Sequence, residues 1–337
     1  MPRIGKVSES VLKRSVLKLI KPRREDVIIK AGVGEDCGAI RINGDEIVLH
    51  STQSIVADDN RGVKGAIISA ANDIFISNGE LIGITLAVTL PTQIDESELK
   101  KIMREAEETC EQLGAQILGG HTELTEAVNK PIISITAIGK TKDISVAKSK
   151  AHPGDDIIVT KWVALEGTGI LARNYYDELR NSFSEVFIDA AKDLYQFILT
   201  DKDADVAFKN SISSIHNASN GGIFAALWEM AERSKVGLEI DLRAIPIRQE
   251  TVEITEELGV NPYELLSGGA LVITSKDGQG LARAFDKEGI NAVIIGKVTA
   301  GNDRVILNGD EKRFLEPPHQ DQIYNMNLRS TNSQGKE

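Results

Sequence analysis

The chain has 337 residues, long enough for about two domains that bury a core without disulfides or metal staples. With 39 Lys and Arg residues against 50 Asp and Glu residues, its net charge of −11 disfavours contact with nucleic-acid phosphates or anionic membranes. It carries no apolar stretch of membrane-spanning length and no secretory leader, and its two cysteines form no metal-binding pattern. We therefore expect a cytoplasmic protein with no nucleic-acid or membrane partner.

The first half predicts helices packed on strands, in a domain at residues 1–152. Apolar residues at helical spacing predict helices at 8–21 and 62–77, and a charged periodic segment predicts another at 95–113. Runs of β-branched residues predict strands at 27–30, 37–42, 46–50, 83–90, 115–118 and 132–139. Asn43-Gly44 predicts a hairpin turn, and Gly119-Gly120 predicts a second turn.

The second half alternates helices and strands and predicts a further domain at 153–329. Helices are predicted at 168–179, 184–199, 221–233, 251–258 and 278–288, and strands at 156–160, 237–241, 270–275, 292–299 and 305–308. This mixture predicts helices that cover a sheet, so the expected fold class is α/β (α+β). The polar tail at 330–337 contains no apolar residue and is predicted to be disordered.

Three acidic residues beside glycines or inside an apolar helix are candidate metal ligands: Asp36, Asp73 and Glu123. Carboxylates gathered at strand and helix ends are the hard oxygen ligands that Mg²⁺ uses when it bridges nucleotide phosphates. A turn residue, a hydrogen-bonded helix residue or a surface charge is a simpler explanation for each. Asp73 is the strongest candidate, because a carboxylate in the small apolar run 70–76 needs a partner when it is buried.

Gly221 and Gly222 form a candidate anion site, because they follow a polar run and precede a predicted helix. Backbone N–H groups at a helix start are able to point at a phosphate or a carboxylate. An ordinary capped helix start explains the same pattern equally well. Lys6 carries a charge suited to phosphate, although a lysine near a terminus is usually only solvated.

Several common sites are excluded. Residues 27–38 carry a strand and a G-x-G-x-x-x-G turn, but a strand follows where a dinucleotide-binding loop requires a helix. The chain has no P-loop signature and no G-x-S-x-G elbow, and its five histidines lack metal-binding spacing. We therefore expect no NAD site, no zinc site and no Ser-His-Asp hydrolase.

Six segments, in this order, resemble the aminoimidazole ribonucleotide synthetase superfamily, and most closely its hydrogenase-maturation branch, HypE. The resemblance covers about residues 5–298, and its specificity lies in the ordered set. The segments are Gly34-Glu35-Asp36-Cys37-Gly38-Ala39, His50-Ser51-Thr52-Gln53-Ser54, Ala71-Asn72-Asp73, Gly119-Gly120-His121-Thr122-Glu123, His152-Pro153-Gly154-Asp155 and His216-Asn217-Ala218-Ser219-Asn220-Gly221-Gly222.

The resemblance implies a two-domain fold in which the first-domain sheet pairs with that of a second subunit to close a barrel, and therefore a homodimer. It also implies bound ATP and Mg²⁺, with an ATP phosphate used to activate or phosphorylate a substrate. Asp36, Asp73 and Glu123 are then the metal ligands. The candidate cofactor-binding residues are Lys6, Thr52, Gln53, Asn72, Gly119, Gly120, Thr122, Asn217, Gly221 and Gly222.

Four differences from the family pattern keep three hypotheses open. Gln53 and Asn217 stand where the family has aspartates, and Asn220 stands where it has an arginine. HypE proteins end in a reactive cysteine, whereas no cysteine follows Cys110 here. The hypotheses are an ATP-dependent enzyme acting on a small molecule or a partner-bound group, a non-catalytic dimer with a binding or regulatory role, and an aminoimidazole ribonucleotide synthetase. The first two leave room for a protein partner.

Overall fold

The computed structural model describes residues 9, 10, 13, 27–29, 32–35, 38–42, 45–56, 62–145 and 148–326. Contacts divide these residues into two compact units. The N-terminal unit holds the described residues from 27 to 148 except 32–35, which join residues 9, 10, 13 and 149–326 in the C-terminal unit. The predicted helix at 8–21 is described only at residues 9, 10 and 13, which are helical; the turn at 43–44 and the tail at 330–337 lie outside the described residues.

A six-stranded sheet and two helices form the N-terminal unit. Their bounds are β1 Val27–Ile29, β2 Gly38–Arg41, β3 Ile47–Val56, α1 Gly62–Phe75, β4 Glu80–Pro91, α2 Glu96–Gln112, β5 Gln116–Thr125 and β6 Ile132–Thr141. The strand order is β1-β2-β3-β6-β4-β5, and every neighbouring pair is antiparallel except β4 with β5. The helices that the sequence predicts near 62–77 and 95–113 are both present.

Helix α1 packs on one face of this sheet because most of its residues are small or apolar. Ala66, Ala70 and Ala71 are fully buried, so the helix backbone approaches the strands closely. Helix α2 begins after Asp95, whose side chain accepts a hydrogen bond from the backbone N–H of Ser97 at 3.1 Å. On the opposite face of the sheet, the alternate side chains of β3 are largely exposed.

The predicted turn at Gly119-Gly120 is wrong, because β5 continues through both glycines to Thr125. Gly120 pairs with Leu86 of β4, and a Cβ atom on Gly120 would lie only 1.9 Å from the carbonyl oxygen of Leu86. The glycine therefore permits a close approach of two strands and does not reverse the chain.

A seven-stranded sheet covered by helices forms the C-terminal unit. The strands are β7 Asp156–Thr160, β8 Ser214–Ala218, β9 Gly237–Asp241, β10 Ala270–Ser275, β11 Ala292–Thr299, β12 Arg304–Asn308 and β13 Glu311–Phe314. The helices are α3 Leu165–Asn174, α4 Tyr176–Leu179, α5 Glu185–Asp193, α6 Asp201–Phe208, α7 Gly222–Ser234, α8 Gln249–Glu257 and α9 Gly278–Lys287. The strand order is β13-β12-β9-β11-β7-β10-β8. The two sheets with their helices confirm the α/β class.

Three elements of the C-terminal unit are not evident from the sequence: β8, α6 and β13. Strand β8 is buried along its whole length, although the polar residues His216 and Asn217 lie in it. The predicted helix at 168–179 is two helices, α3 and α4, which begin at Leu165 and are interrupted at Tyr175.

The N-terminal sheet exposes several apolar side chains, among them Leu118 (46%) and Leu124 (61%). Exposed apolar sheet surface of this kind is typical of a surface that another chain covers. The barrel formed with a second chain stays a prediction. Among the described residues, no helix combines the length and the apolar composition needed to cross a bilayer.

Candidate functional site

The carboxylate of Asp73 is the centre of the best-defined candidate site. Asp73 lies in α1 and is only 5% exposed. Its Oδ2 accepts a hydrogen bond from Ser51 Oγ at 2.7 Å and another from Gln53 Nε2 at 3.3 Å. Ser51 and Gln53 are two residues apart in β3, so their side chains lie on the same face of the sheet and point toward α1.

These two hydrogen bonds orient Asp73 without adding a positive charge, because a hydroxyl and an amide are both neutral donors. Gln53 therefore supplies an N–H group beside the carboxylate of Asp73. A carboxylate, an amide oxygen and a hydroxyl oxygen are all hard oxygen donors of the kind that Mg²⁺ accepts. These residues would suit a magnesium ion only if other segments supplied the remaining ligands.

Two further predicted cofactor residues flank Asp73 and Gln53. Asn72 precedes Asp73 in α1 and is buried. Thr52 precedes Gln53 in β3, and its hydroxyl forms a hydrogen bond with the hydroxyl of Thr136 at 2.9 Å. Strand alternation places Thr52 on the opposite face of the sheet from Gln53, so the Thr52 side chain points away from Asp73.

The structure does not bring Glu123 to Asp73. Across the sheet, Gln53 pairs with Ile135, Ile135 with Leu86, and Leu86 with Gly120. Paired residues share a face of the sheet, so the Gln53 side chain lies on the same face as Gly120 and Thr122. Glu123 lies on the other face of the sheet. Its strand, β5, is three strand spacings from β3, a distance of roughly 14 Å. Its Oε2 is 3.4 Å from the Nε2 of His121, and both side chains are exposed.

One cation therefore cannot be bound by Asp73 and Glu123 of a single chain. Within the described part of the chain, no group of three or more His, Cys, Asp and Glu side chains is arranged to hold a metal. Asp36 and Lys6 lie outside the described residues. The joint metal role of Asp36 and Asp73 stays a prediction.

In the glycine turn at the start of α7, the N–H group of Gly221 donates to a carboxylate of the same chain. The backbone N–H of Gly221 donates to Oδ2 of Asp321 at 2.6 Å, and the N–H of Gly222 donates to the carbonyl oxygen of Ser219 at 3.1 Å. The expected N–H donors therefore have intramolecular acceptors. Glycine is needed for a different reason: a Cβ atom on Gly222 would lie 2.5 Å from the carbonyl oxygen of Tyr263.

Asp321 joins three separate segments through backbone hydrogen bonds. Besides Gly221, its Oδ1 accepts from the N–H of Leu266 at 3.3 Å and from that of Ile323 at 2.9 Å. Asp321 is 1% exposed, so these bonds are shielded from water. Sequence analysis misses this residue, because its partners are backbone groups and two of them, at Gly221 and Leu266, lie far away in the chain.

The predicted cofactor residue Asn217 lies in β8, next to His216. Asn217 is buried and aligns with Leu271 of β10. The neighbouring His216 is also buried, and its Nε2 is 3.2 Å from Oε2 of Glu229 on α7. Sequence analysis gives Glu229 no role, since it lies in the middle of an ordinary amphipathic helix.

Two family models match the chain. The AIR synthase related protein, N-terminal domain, matches residues 34–141, and the AIR synthase related protein, C-terminal domain, matches residues 152–308. The chain belongs to the AIR synthase related family. This membership confirms the superfamily that the ordered sequence segments predict.

Relatives in this family differ in the activities that their names state. A putative hydrogenase expression/formation protein of Methanocaldococcus jannaschii is 26% identical, with 90% of this chain and 91% of the relative covered. A selenide, water dikinase of Methanococcus maripaludis is also 26% identical, with 85% of this chain and 90% of the relative covered. Family membership alone does not choose between these activities.

Solved structures of the hydrogenase maturation protein HypE share the fold. The E. coli HypE structure has a TM-score of 0.70 at 22% identity, covering 81% of this chain and 86% of that one. A structure of HypE in complex with ATP has a TM-score of 0.64 at 18% identity, covering 95% of this chain and 97% of that one. At these identities the likeness establishes the two-domain fold.

Proposed function

We propose that this AIR synthase related protein is an enzyme that binds ATP and Mg²⁺ and uses ATP to phosphorylate or activate a small molecule or a partner-bound group. The observation that carries the proposal is the buried carboxylate of Asp73, oriented by Ser51 and Gln53. The bound ATP named for a HypE structure and the dikinase name of a relative support the choice of nucleotide.

The proposed magnesium ligands are Asp36 and Asp73. Because Glu123 faces away from Asp73 within one chain, its proposed metal role requires a site completed by the second chain of a homodimer. The exposed apolar residues of the N-terminal sheet support such a dimer. The proposed nucleotide contacts are the family positions Lys6, Thr52, Gln53, Asn72, Gly119, Gly120, Thr122 and Asn217.

Magnesium, when bound, would neutralise phosphate charge and hold the phosphate oxygens in line for transfer. The chain contributes orientation. Ser51 and Gln53 both donate to Oδ2 of Asp73, so this oxygen is held in position before any ligand binds. A ligand group that is already oriented binds with a smaller entropic cost, and most of the catalysis in phosphate transfer comes from such positioning.

Calorimetric titration of the full chain with ATP, with and without Mg²⁺, tests the proposal. We expect metal-dependent binding at about micromolar strength, roughly −8 kcal/mol, followed by slow release of ADP. A folded protein that gives no heat in either condition overturns ATP binding. Equal heats with and without Mg²⁺ overturn the metal role.

A non-catalytic binding or regulatory dimer is the second candidate. It is favoured by the neutral side chains of Gln53 and Asn217 and by the intramolecular acceptor at Gly221. Binding of Mg·ATP without any ADP after a day of incubation would favour this candidate over the enzyme. Growth of a purine auxotroph carrying the gene would instead favour an aminoimidazole ribonucleotide synthetase.

We further propose a first domain at 1–152, a second at 153–329 and a cytoplasmic location, on the strength of composition and patterning. We also propose that the chain binds a protein partner, because the structure of a HypE–HypF complex has been solved for a protein of this fold. Mass measurement of the purified chain tests the homodimer directly.

A further inference from the structure

A groove lies beside the β12–β13 hairpin, at one edge of the seven-stranded sheet. It has a volume of about 510 Å³ and is lined by Leu242, Asn308, Glu311, Lys312 and Arg313. All of these residues belong to the C-terminal unit. The volume lies within the range of roughly 300–1,000 Å³ that is typical of small-molecule sites.

The pairing of β12 with β13 decides which side chains share a face of the hairpin. Asn308 pairs with Glu311, and Ile306 pairs with Arg313. Paired residues and residues two apart lie on the same face, so Asn308, Glu311 and Arg313 project together. This face is the one toward helix α7, because the Arg313 guanidinium lies over the ring of Phe224.

A second arginine, Arg243, is held against the turn of the hairpin. Its Nε donates to Oδ1 of Asn308 at 3.1 Å, and a Cβ atom on Gly309 would lie 2.7 Å from its Nη2. The carboxylate of Asp241 accepts from the backbone N–H of Arg243 at 3.0 Å, and not from the guanidinium. Because Asn308 is a neutral acceptor, it orients the guanidinium and leaves the positive charge uncompensated.

An aromatic ring orients Arg313 in the same way. The Cζ atom of Arg313 is 5.5 Å from the ring centroid of Phe224, which stacks on Tyr263 with 5.2 Å between the centroids. Phe224 is 8% exposed, so the ring is fixed by the packing around it. Contact with a ring face attracts a guanidinium but does not neutralise it.

Arg304 of β12 is a useful comparison, because its own chain does neutralise it. Its Cζ lies 3.9 Å from the ring centroid of Trp228 on α7, and its Nη2 is 2.8 Å from Oε2 of Glu232. Lys13 also pairs with Glu232, and Nε1 of Trp228 donates to Glu9 at 2.7 Å. A cation beside an aromatic ring of α7 therefore has a carboxylate partner here, unlike the two arginines of the groove.

The charges around the groove favour an anion. Within the described part of the chain, neither Arg243 nor Arg313 forms an ion pair with a carboxylate. Glu311 is the one acidic residue among those that line the groove, and the adjacent Lys312 offsets its charge. Arg313 is two residues from Glu311 along β13, a rise of roughly 7 Å, so both guanidinium groups are within reach of one ligand. Guanidinium N–H groups match the oxygen spacing of phosphate and carboxylate groups.

We propose that this groove binds a small organic phosphate, whose phosphate group contacts Arg243 and Arg313 and whose apolar part packs on Leu242. A phosphate monoester carries close to two negative charges at neutral pH, which suits two arginines better than a single carboxylate charge does. The groove and the Asp73 site share no residue, so this inference is independent of the proposed function.

Calorimetric titration of the full chain with phenyl phosphate in EDTA tests the proposal without any metal or nucleotide. We expect saturable binding, and we expect Arg243→Gln and Arg313→Gln each to raise the Kd about tenfold. The matched control is Arg283→Gln, at an exposed arginine of α9 in the same unit, for which we expect no change.

A variant that gains affinity separates ligand contact from general structure. Glu311→Gln removes the carboxylate on the face of Arg313, so we expect the Kd for phenyl phosphate to fall about threefold. A structural defect does not tighten binding. Arg313→Lys keeps the charge and loses the planar pair of donors, so its loss of affinity should be smaller than that of Arg313→Gln.

The class of ligand is tested with benzoate, which has the same ring and a carboxylate. We expect benzoate to bind at least about tenfold more weakly than phenyl phosphate, and equal affinities overturn the phosphate assignment. A folded wild-type chain that shows no saturable binding of phenyl phosphate up to about 10 mM overturns the site itself. Binding that none of the substitutions at Arg243, Glu311 and Arg313 alters also overturns it, because the ligand then lies elsewhere.

Discussion

Two of the buried aspartates, Asp73 and Asp321, receive their hydrogen bonds from different kinds of donor. Asp73 in the N-terminal unit accepts hydrogen bonds from the side chains of Ser51 and Gln53. Asp321 in the C-terminal unit accepts from three backbone N–H groups, including that of Gly221 at the start of α7. The first carboxylate is fixed by side chains of one strand, whereas the second joins three parts of the chain.

The difference teaches that a motif's residues do not by themselves define a ligand site. The glycine turn at 221–222 has the sequence of an anion site, but its anion is Asp321 of the same chain. Asp73 lies in a run of small apolar residues, and its carboxylate, held by neutral donors, suits a cation. We therefore expect changes at Asp321 to act on stability, and changes around Asp73 to act on ligand binding.

The largest expected effect is that of Asp321→Ala. The substitution leaves three buried N–H groups without their acceptor, and we expect the free energy of unfolding to fall by about 3–5 kcal/mol. Urea unfolding measures the loss, with Asp310→Ala at an exposed turn of the same unit as control. Unchanged stability combined with tighter ATP binding would contradict the structural role and restore the glycine turn as a phosphate site.

The next effect is that of Asp73→Asn, which keeps the shape of the side chain and removes its charge. We expect Mg-dependent ATP affinity to fall roughly 100-fold, or about 2.7 kcal/mol, with little change in unfolding. Calorimetry checks the affinity, and Asp45→Asn at an exposed turn is the control. Wild-type affinity in the Asp73 variant would remove this residue from the site.

A smaller effect is expected from Gln53→Asp, which puts a second carboxylate beside Asp73. In EDTA the two charges repel, so we expect the free energy of unfolding to fall by about 1 kcal/mol, and Mg²⁺ to restore it. Ser54→Asp adds the same charge on the opposite face of β3 and should show no Mg²⁺ dependence. Identical responses of the two variants to Mg²⁺ would show that no cation binds at Asp73.

The smallest effect concerns Glu232, an acid whose neighbours are cations. Because Lys13 and Arg304 lower its pKa from 4.5, its contribution to stability is present above about pH 4.5 and is lost as the pH falls through the lowered value. We expect wild type to exceed Glu232→Gln in unfolding free energy above pH 5 and to converge with it in acid. A difference that persists at pH 2, or that also appears for Glu239→Gln at an exposed position of β9, would contradict this explanation.

The sequence predicts best those elements whose own residues decide their structure. Strands β7, β9, β10 and β11 have the predicted bounds, because each is an apolar or an alternating segment whose own residues indicate a strand. The pair Gly119-Gly120 misleads, because glycine serves both turns and close strand contacts. Only the neighbouring strand, with Leu86 against Gly120, decides between them.

The candidate site follows the same rule. The small apolar neighbours of Asp73 predict its burial, but its partners Ser51 and Gln53 are about 20 residues away and depend on how β3 aligns with α1. The acceptor at Gly221 is 100 residues away, in Asp321. Such contacts arise from tertiary packing, for which a local pattern carries no signal.

The contacts of Glu9 and Lys13 with α7 have a consequence for the order in which the chain is completed. Glu9 and Trp228 are 219 residues apart, as are Lys13 and Glu232. At a synthesis rate of about 5–20 residues per second, the first residues wait roughly 10–40 s before their partners leave the ribosome. Glu9 and Lys13 are thus synthesised first but bind α7 late. Folding therefore includes a slow step in which the long chain segment between them and α7 closes into a loop.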